Sequence, residues 1–461
     1  MIDDGGGRAG QLQRQAPSKK GALVLECIVA RVSSVVRRFC DSRAEDVASR
    51  RFFRNPKVKA SEIVATAAAR TAEAASGRHV LLIQDTTEIN YQDKAGRKRG
   101  LGTVGNGSDV GLFVHPVLAV GAEGEPDILG LVAAVIWRRF KAKAKDYQSQ
   151  PIETKESHRW ITAITSARAA LVDTPMATMV ADRESDIYEV FARVPQQDPD
   201  GPLTHVLVRC SHDRALDGEA GCLRAKIDAW PQAGRTAFKL DARPGRPARA
   251  VELAVRFGDV TLRQPKTGAD PRDPASMTLR LVEVREINPP ADATAVHWRL
   301  YTTHQVSTLE QAVAIVELYR RRWIIEQVFR TLKSQGLGIE QSLLADGEAL
   351  ENLAATALVA AIQVMQCVHA RGEAGQKIPA SRVLADADLP VVRALVRKLE
   401  GKTLKQKNPH PPESLAWAVW VIARLGGWNG YASERPPGPI TVRNGLERFH
   451  AIAEGFALAN L

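Results

Sequence analysis

Cysteine is scarce and scattered. The five residues Cys27, Cys40, Cys210, Cys222 and Cys367 are odd in number and form no C-x-x-C pair. This argues against a disulfide framework and a zinc site, and fits a reducing cytoplasm. The ten histidines show no metal-ligand spacing either. No stretch is expected to span a bilayer, which takes about 18 or more uncharged apolar residues. The apolar segment from Gly21 to Val36 follows Lys19 and Lys20, but Glu26 and Arg31 interrupt it and no A-x-A site follows, so it reads as an amphipathic helix and not an export signal. The expectation is a soluble, cytoplasmic protein with no membrane partner.

What the chain has in surplus is positive charge. Lys and Arg number 63 against 52 Asp and Glu, a formal net charge of +11 over 461 residues. Such a balance favours a polyanionic partner, and the length calls for more than one core. Residues 1–20 are rich in Gly and Gln with few large apolar side chains and are expected to lack fixed structure. Helical patterns over 21–75 include a basic cluster with Arg51 and Arg54 around Phe52 and Phe53. Strands and a helix follow over 76–210; between 211 and 294 alternating strands are joined by Pro-, Gly- and Arg-rich loops, such as the one from Arg243 to Pro247. Residues 295–370 return to mixed structure, and 371–461 are helical, with cations at Arg393, Arg397, Lys398, Lys402, Lys405 and Lys407. Trp417 and Trp420 on a helix over 414–425 read as core packing or as a protein contact.

Three carboxylates stand out. Val80-Leu81-Leu82-Ile83 is an apolar strand that delivers Asp85, and a second strand over 177–181 delivers Asp182. The third, Glu326, lies in a run from Ser307 to Lys333 that contains no Gly or Pro. This run predicts one continuous helix of about 40 Å, opened by an S-x-x-E box at Ser307 and Glu310. At about 100° per residue, Tyr319, Arg322, Trp323, Glu326 and Lys333 share one stripe. Hard divalent cations take clustered oxygen ligands, and two-metal phosphoryl transfer needs such acids on rigid supports. Each acid also has a plainer reading: Asp85 in a turn before Thr86 and Thr87, Asp182 as a helix cap, and the stripe as a solvated face.

The combination of Gln84-Asp85-Thr86-Thr87-Glu88, Asp182-Arg183-Glu184-Ser185-Asp186 and Tyr319-x₂-Arg322-x₃-Glu326-x₆-Lys333 resembles the DDE transposases of the IS-four family and, within it, the Tn-five transposase group. Arg51-Phe52-Phe53-Arg54-Asn55-Pro56, Val114-His115, Glu286-Ile287-Asn288-Pro289-Pro290 and Ile422-Ala423-Arg424-Leu425-Gly426-Gly427 match it as well. The likeness covers roughly residues 50–430 and implies an α/β fold: an RNase H-like catalytic core (76–210 and 295–370) interrupted by a mostly β insertion (211–294). A helical N-terminal DNA-binding domain (21–75) and a helical C-terminal dimerisation domain (371–461) flank it. By the same resemblance Asp85, Asp182 and Glu326 hold two Mg²⁺ ions, with Mn²⁺ as a substitute. Tyr319, Arg322, Lys333, Arg209, Arg51 and Arg54 contact DNA, and Trp298 and Trp323 stack on a flipped base. The implied function is cut-and-paste transposition by a homodimer acting on double-stranded element ends and target DNA. A relic or inhibitor that binds without productive end recognition, and an RNase H-like nuclease, are the alternatives.

Overall fold

The computed structural model describes residues 19–92, 96–140, 146–196, 201–218, 221–240, 248–291, 293–334, 336–431 and 434–459. Most of the tail expected to lack structure, residues 1–18, and the loop from Arg243 to Pro247 lie outside them. In chain order the strands are β1 (His79–Gln84), β2 (Thr87–Asn90), β3 (Gly102–Val104), β4 (Asp109–Gly121), β5 (Ile128–Trp137), β6 (Met176–Ala181), β7 (Leu203–Arg209), β8 (Gly234–Leu240), β9 (Arg249–Arg263), β10 (Ser276–Glu286) and β11 (His297–Thr302). The fold is mixed α/β. The chain divides into two compact units: Met1–Ala74, Thr86–Ala142 and Ile325–Leu461 form the first, and Ala75–Asp85 with Lys143–Ile324 the second.

The second unit is a mixed sheet in the order β1-β6-β7-β11-β10-β9-β8. Its β1, β6 and β7 are parallel neighbours, and β11 to β8 run antiparallel in turn. The sequence of each strand matches its place. Val80, Leu81, Leu82 and Ile83 are completely buried, as are Val206, Leu207 and Val208, because the strands of a parallel ladder are covered on both faces. By contrast, β9 alternates buried and exposed side chains, which marks a sheet with one solvated face.

A histidine cluster sits in this unit. Thr178 Oγ1 meets both His79 Nε2 and His304 Nε2 at 2.8 Å, and the His205 ring stacks on His304 with centroids 3.9 Å apart. Burial, and then the neighbouring His205 and His79, lower His304 from 6.5 to about 3. A depressed histidine favours the folded state above the unfolded value, and that contribution is lost as pH falls from 6.5 to about 3. Unfolding in urea across this window should therefore show stability dropping with pH. The drop should be shallower in His304→Gln, and equal slopes would remove His304 as the cause.

In the first unit β4 pairs antiparallel with β2, β3 and β5. The helix Gly347–His369 packs on β5 and on the helices Arg43–Arg54, Leu415–Leu425 and Pro439–Leu458. This helix revises one expectation, since by length and composition it is apolar enough to cross a membrane, with a mean hydropathy of 1.3. Yet 83% of that window is buried inside the protein, and a helix surrounded by others needs apolar residues all round. Among its buried amides is Asn352, whose Nδ2 donates to Phe53 O and Val58 O, both at 3.0 Å. The bend that follows Arg54 is tied down through those carbonyls. Trp417 and Trp420 are core residues, 4% and 3% exposed. The N-terminal helix is shorter than expected: it covers 19–30 and stops where Val32 takes a positive φ of 39°. Removing the Asn352 amide leaves two buried carbonyls without their donor. Asn352→Ala should lose about 2 kcal/mol or more in urea unfolding, and a loss under about 0.5 would show that these bonds contribute little.

The expected single helix over Ser307–Lys333 is two. Leu309–Arg320 and Trp323–Leu332 are separated by a turn at Arg321 and Arg322. Arg321 N–H bonds Leu318 O at 3.3 Å and Arg322 N–H bonds Tyr319 O at 3.0 Å, the tight i→i−3 pattern that ends an α-helix. Nothing in local propensity breaks this stretch, so the cause is tertiary: the Arg322 side chain is engaged in ion pairs. The cap also shifts by one residue. Thr308 and Gln311 form the reciprocal capping box, in place of Ser307 and Glu310.

Candidate functional site

Three parallel strands end at one edge of the second unit. Ile83 is in register with Val180 and Ala181 with Val208, so Asp85 and Asp182 emerge just past β1 and β6, beside Arg209 at the end of β7. The carboxyl edge of parallel strands is where α/β folds place their ligands. Because β11 runs antiparallel, with Leu300 opposite Arg209, its first residues, including Trp298, return to the same edge. Tyr319 comes from the last turn of the helix Leu309–Arg320, and Arg322 from the turn after it.

The side chains converge on Arg322. Its Nη1 lies 3.2 Å from Asp85 Oδ2 and its Nη2 3.5 Å from Asp182 Oδ2. The guanidinium side chain is 11% exposed, while the two carboxylates keep 23% and 26%. Asp182 Oδ1 also accepts from Tyr319 Oη at 3.2 Å and from its neighbour Arg183 N–H at 2.8 Å. Arg209 Nη1 stands 3.7 Å from the same oxygen. Burial, together with the Asp182 charge, pushes the Tyr319 hydroxyl well above its ordinary value, so it stays protonated and donates. The Asp182 cap closes only a 3₁₀ turn, Arg183–Ser185, and not the expected helix.

Trp298 is half-buried in an aromatic stack. Its ring meets the edge of Tyr319 at 5.3 Å and lies parallel to Phe238 at 5.9 Å, and Arg320 covers the Phe238 ring at 4.1 Å. Phe238 belongs to β8, where simple strand alternation gave it no distinction. Asp186, the last acid of the Asp182-Arg183-Glu184-Ser185-Asp186 run, is buried and paired with Arg214 at 2.7 Å, so the run contains one acid at the edge and one in the interior.

The other expected site residues are placed as follows. Glu326 is half-buried in the first turn of the helix Trp323–Leu332, and Trp323 is half-buried at that helix's start. Glu326 and Lys333 belong to the first unit, where Lys333 Nζ is 3.7 Å from Glu340. Arg51 and Arg54 are exposed on the last turn of the helix Arg43–Arg54, and Phe52 and Phe53 between them are buried. Among the described residues no group of three or more His, Cys, Asp or Glu is arranged to hold a metal ion. What the second unit brings together is two of the three expected acids, facing one cation. Two carboxylates converging on a shared positive group present hard oxygen donors to one point, which is the donor chemistry of Mg²⁺ or Mn²⁺ and not of a soft metal.

Residues 143–362 match the model of the family described as Transposase DDE domain. The match covers just under half of the chain. It makes the chain an enzyme of phosphoryl transfer, of a class that acts on DNA and generally uses a divalent metal. Asp182, Arg209, Trp298, Tyr319, Arg322, Trp323, Glu326 and Lys333 fall inside the DDE domain match; Asp85, Arg51 and Arg54 precede it. Because lysine keeps the charge but has no fork to span two carboxylates, Arg322→Lys forfeits one charge-assisted hydrogen bond, about 1.5–3 kcal/mol. Urea unfolding of this variant should lose about 1 kcal/mol or more. An unchanged stability would show that the fork is dispensable.

Proposed function

We propose that this protein is a cut-and-paste DNA transposase of the IS-four family, related to the Tn-five transposase group. The observation that carries the reading is the convergence of Asp85 and Asp182, from neighbouring parallel strands, on Arg322 of the Y-R-E-K signature. Glu326, four residues beyond Arg322 in that signature, is the third acid. Asp85, Asp182 and Glu326 would hold two Mg²⁺ ions, for which Mn²⁺ would substitute, and the bound metal would supply Lewis acidity for attack on phosphorus by water or a 3′-hydroxyl.

The chain's own residues do the rest. Arg322 and Arg209 present guanidinium groups at the strand edge, where a planar fork suits phosphate oxygens, and Lys333 acts as a point charge. Substrate phosphate competes for Arg322, which frees the two carboxylates from their present partner. Tyr319, held protonated, donates to Asp182 and fixes its orientation. Trp298, backed by Phe238, offers a stacking surface to an unpaired base, and Trp323 a second; a base stack of this kind contributes about 1–3 kcal/mol. Arg51 and Arg54 add cations to a helix that meets the element end. The sequence of steps is strand nicking, hairpin formation, hairpin opening and strand transfer, in a homodimer that pairs two element ends in the bacterial cytoplasm.

Incubation of the full chain with Mg²⁺ and a labelled duplex carrying a terminal inverted repeat tests the reading. Hairpinned ends are expected; plain nicks would make the protein a nuclease, and bound but intact DNA a relic or inhibitor. Glu326→Ala and Asp182→Asn should each abolish cleavage while leaving gel-shift binding measurable. Cleavage retained by either variant removes that acid from the mechanism.

A further inference from the structure

Past the end of the β6–β7 ladder, backbone pairing no longer sets the distance between the two chain continuations that carry Asp182 and Arg209. The last paired residues are Ala181 and Val208. A buried carboxylate spans the gap. Asp186 Oδ2 accepts from Ser211 N–H at 2.7 Å and His212 N–H at 3.0 Å. Asp186 Oδ1 accepts from Arg214 Nε at 2.9 Å and Nη2 at 2.7 Å, and the same Nη2 reaches Asp186 O at 2.6 Å. The Asp186 side chain is completely buried and Arg214 is 12% exposed. On the other side, Asp186 is tied back to Asp182 by a tight turn: Ser185 N–H bonds Asp182 O at 3.0 Å and Asp186 N–H bonds Arg183 O at 3.2 Å.

We propose that Asp186, clamped by Arg214, is a positioning residue for phosphoryl transfer: it locks the turn after Asp182 to the turn after Arg209, and so fixes the carboxylate and the guanidinium of the reacting edge relative to each other. This inference rests on the reading of Asp182 as a metal-holding acid. The geometry argues for positioning beyond plain stability. All the acceptor capacity of Asp186 is directed at the segment 211–214, which directly follows Arg209, and the Asp182 oxygen that receives Tyr319 and faces Arg209 begins the turn that Asp186 ends. A carboxylate gripped on both oxygens permits little play, and loss of supporting contacts behind a metal-holding group costs about 10–100-fold in metal affinity or activity.

The test compares the full-length wild type with Asp186→Asn and Asp182→Asn. Mn²⁺ binding is measured without DNA, by the electron spin signal of the free ion, alongside cleavage of a labelled inverted-repeat duplex at saturation and the affinity for that duplex. For Asp186→Asn the expected result is a fall of about tenfold in both Mn²⁺ affinity and saturated cleavage rate, with duplex affinity within about twofold. A variant that is folded by near-ultraviolet circular dichroism, and that keeps wild-type Mn²⁺ affinity and saturated rate, overturns the proposal and leaves Asp186 a structural anchor. If Asp186→Asn does not fold, the pair Asp186→Asn with Arg214→Gln, which leaves no unpaired buried charge, is read by the same criteria. If instead Asp182→Asn binds Mn²⁺ and cleaves as the wild type does, the metal-holding role of Asp182 itself fails and the inference falls with it.

Discussion

One guanidinium organises the reacting edge. Arg322 satisfies Asp85 and Asp182 at once, and without a cation between them two carboxylates at a partly enclosed edge repel each other. The cost is visible in the backbone, where a segment with no helix breaker is interrupted at Arg321 and Arg322. A buried or half-buried charge network is high-stakes, because each member left without its partner is penalised by desolvation. That makes the same spot responsive to ligands: a bound cation or an incoming phosphate can replace either side of the existing pairs.

The surroundings serve rigidity. Acids placed at the ends of fully buried parallel strands have their backbones fixed by the ladder, and the residues beyond the ladder are held by side-chain clamps. Glu283 shows the same habit at the β10–β11 pair. Burial works against its charge, but hydrogen bonds from His297 and Arg256 and the nearby charge of Arg299 hold it at about 2. His297 is thereby anchored next to Trp298, and Arg209 Nη2 donates to the His297 carbonyl at 3.3 Å. The aromatic stack of Phe238, Trp298 and Tyr319 completes the support with apolar contacts that need no charge.

Charge is distributed unevenly between structural and solvent-facing uses. Several arginines that make the sequence basic are occupied: Arg193 by Glu153, Asp270 and Asp273, Arg138 by Glu351, and Arg393 by Glu413. Net charge therefore overstates the cationic surface open to a polyanion. Arg51 and Arg54 differ in that their helix turns Phe52 and Phe53 inward and keeps the cations exposed.

Composition and local pattern determined which segments are strands and helices. Apolar runs without alternation marked β1 and β6, though not β7, and the spacing of Tyr319, Arg322, Glu326 and Lys333 singled out the segment that supplies the bridging arginine, because these signals are local and carried by residue type. The tertiary structure alone decided that the helix breaks at Arg322, that Asp186 is an interior anchor while Asp182 stands at the edge, and that Phe238 backs Trp298. Each of these depends on a partner far away in the chain: Asp85 is 237 residues from Arg322, and Arg214 is 28 residues from Asp186. Propensity reads the cost of a backbone conformation but not the ion pair that outweighs it.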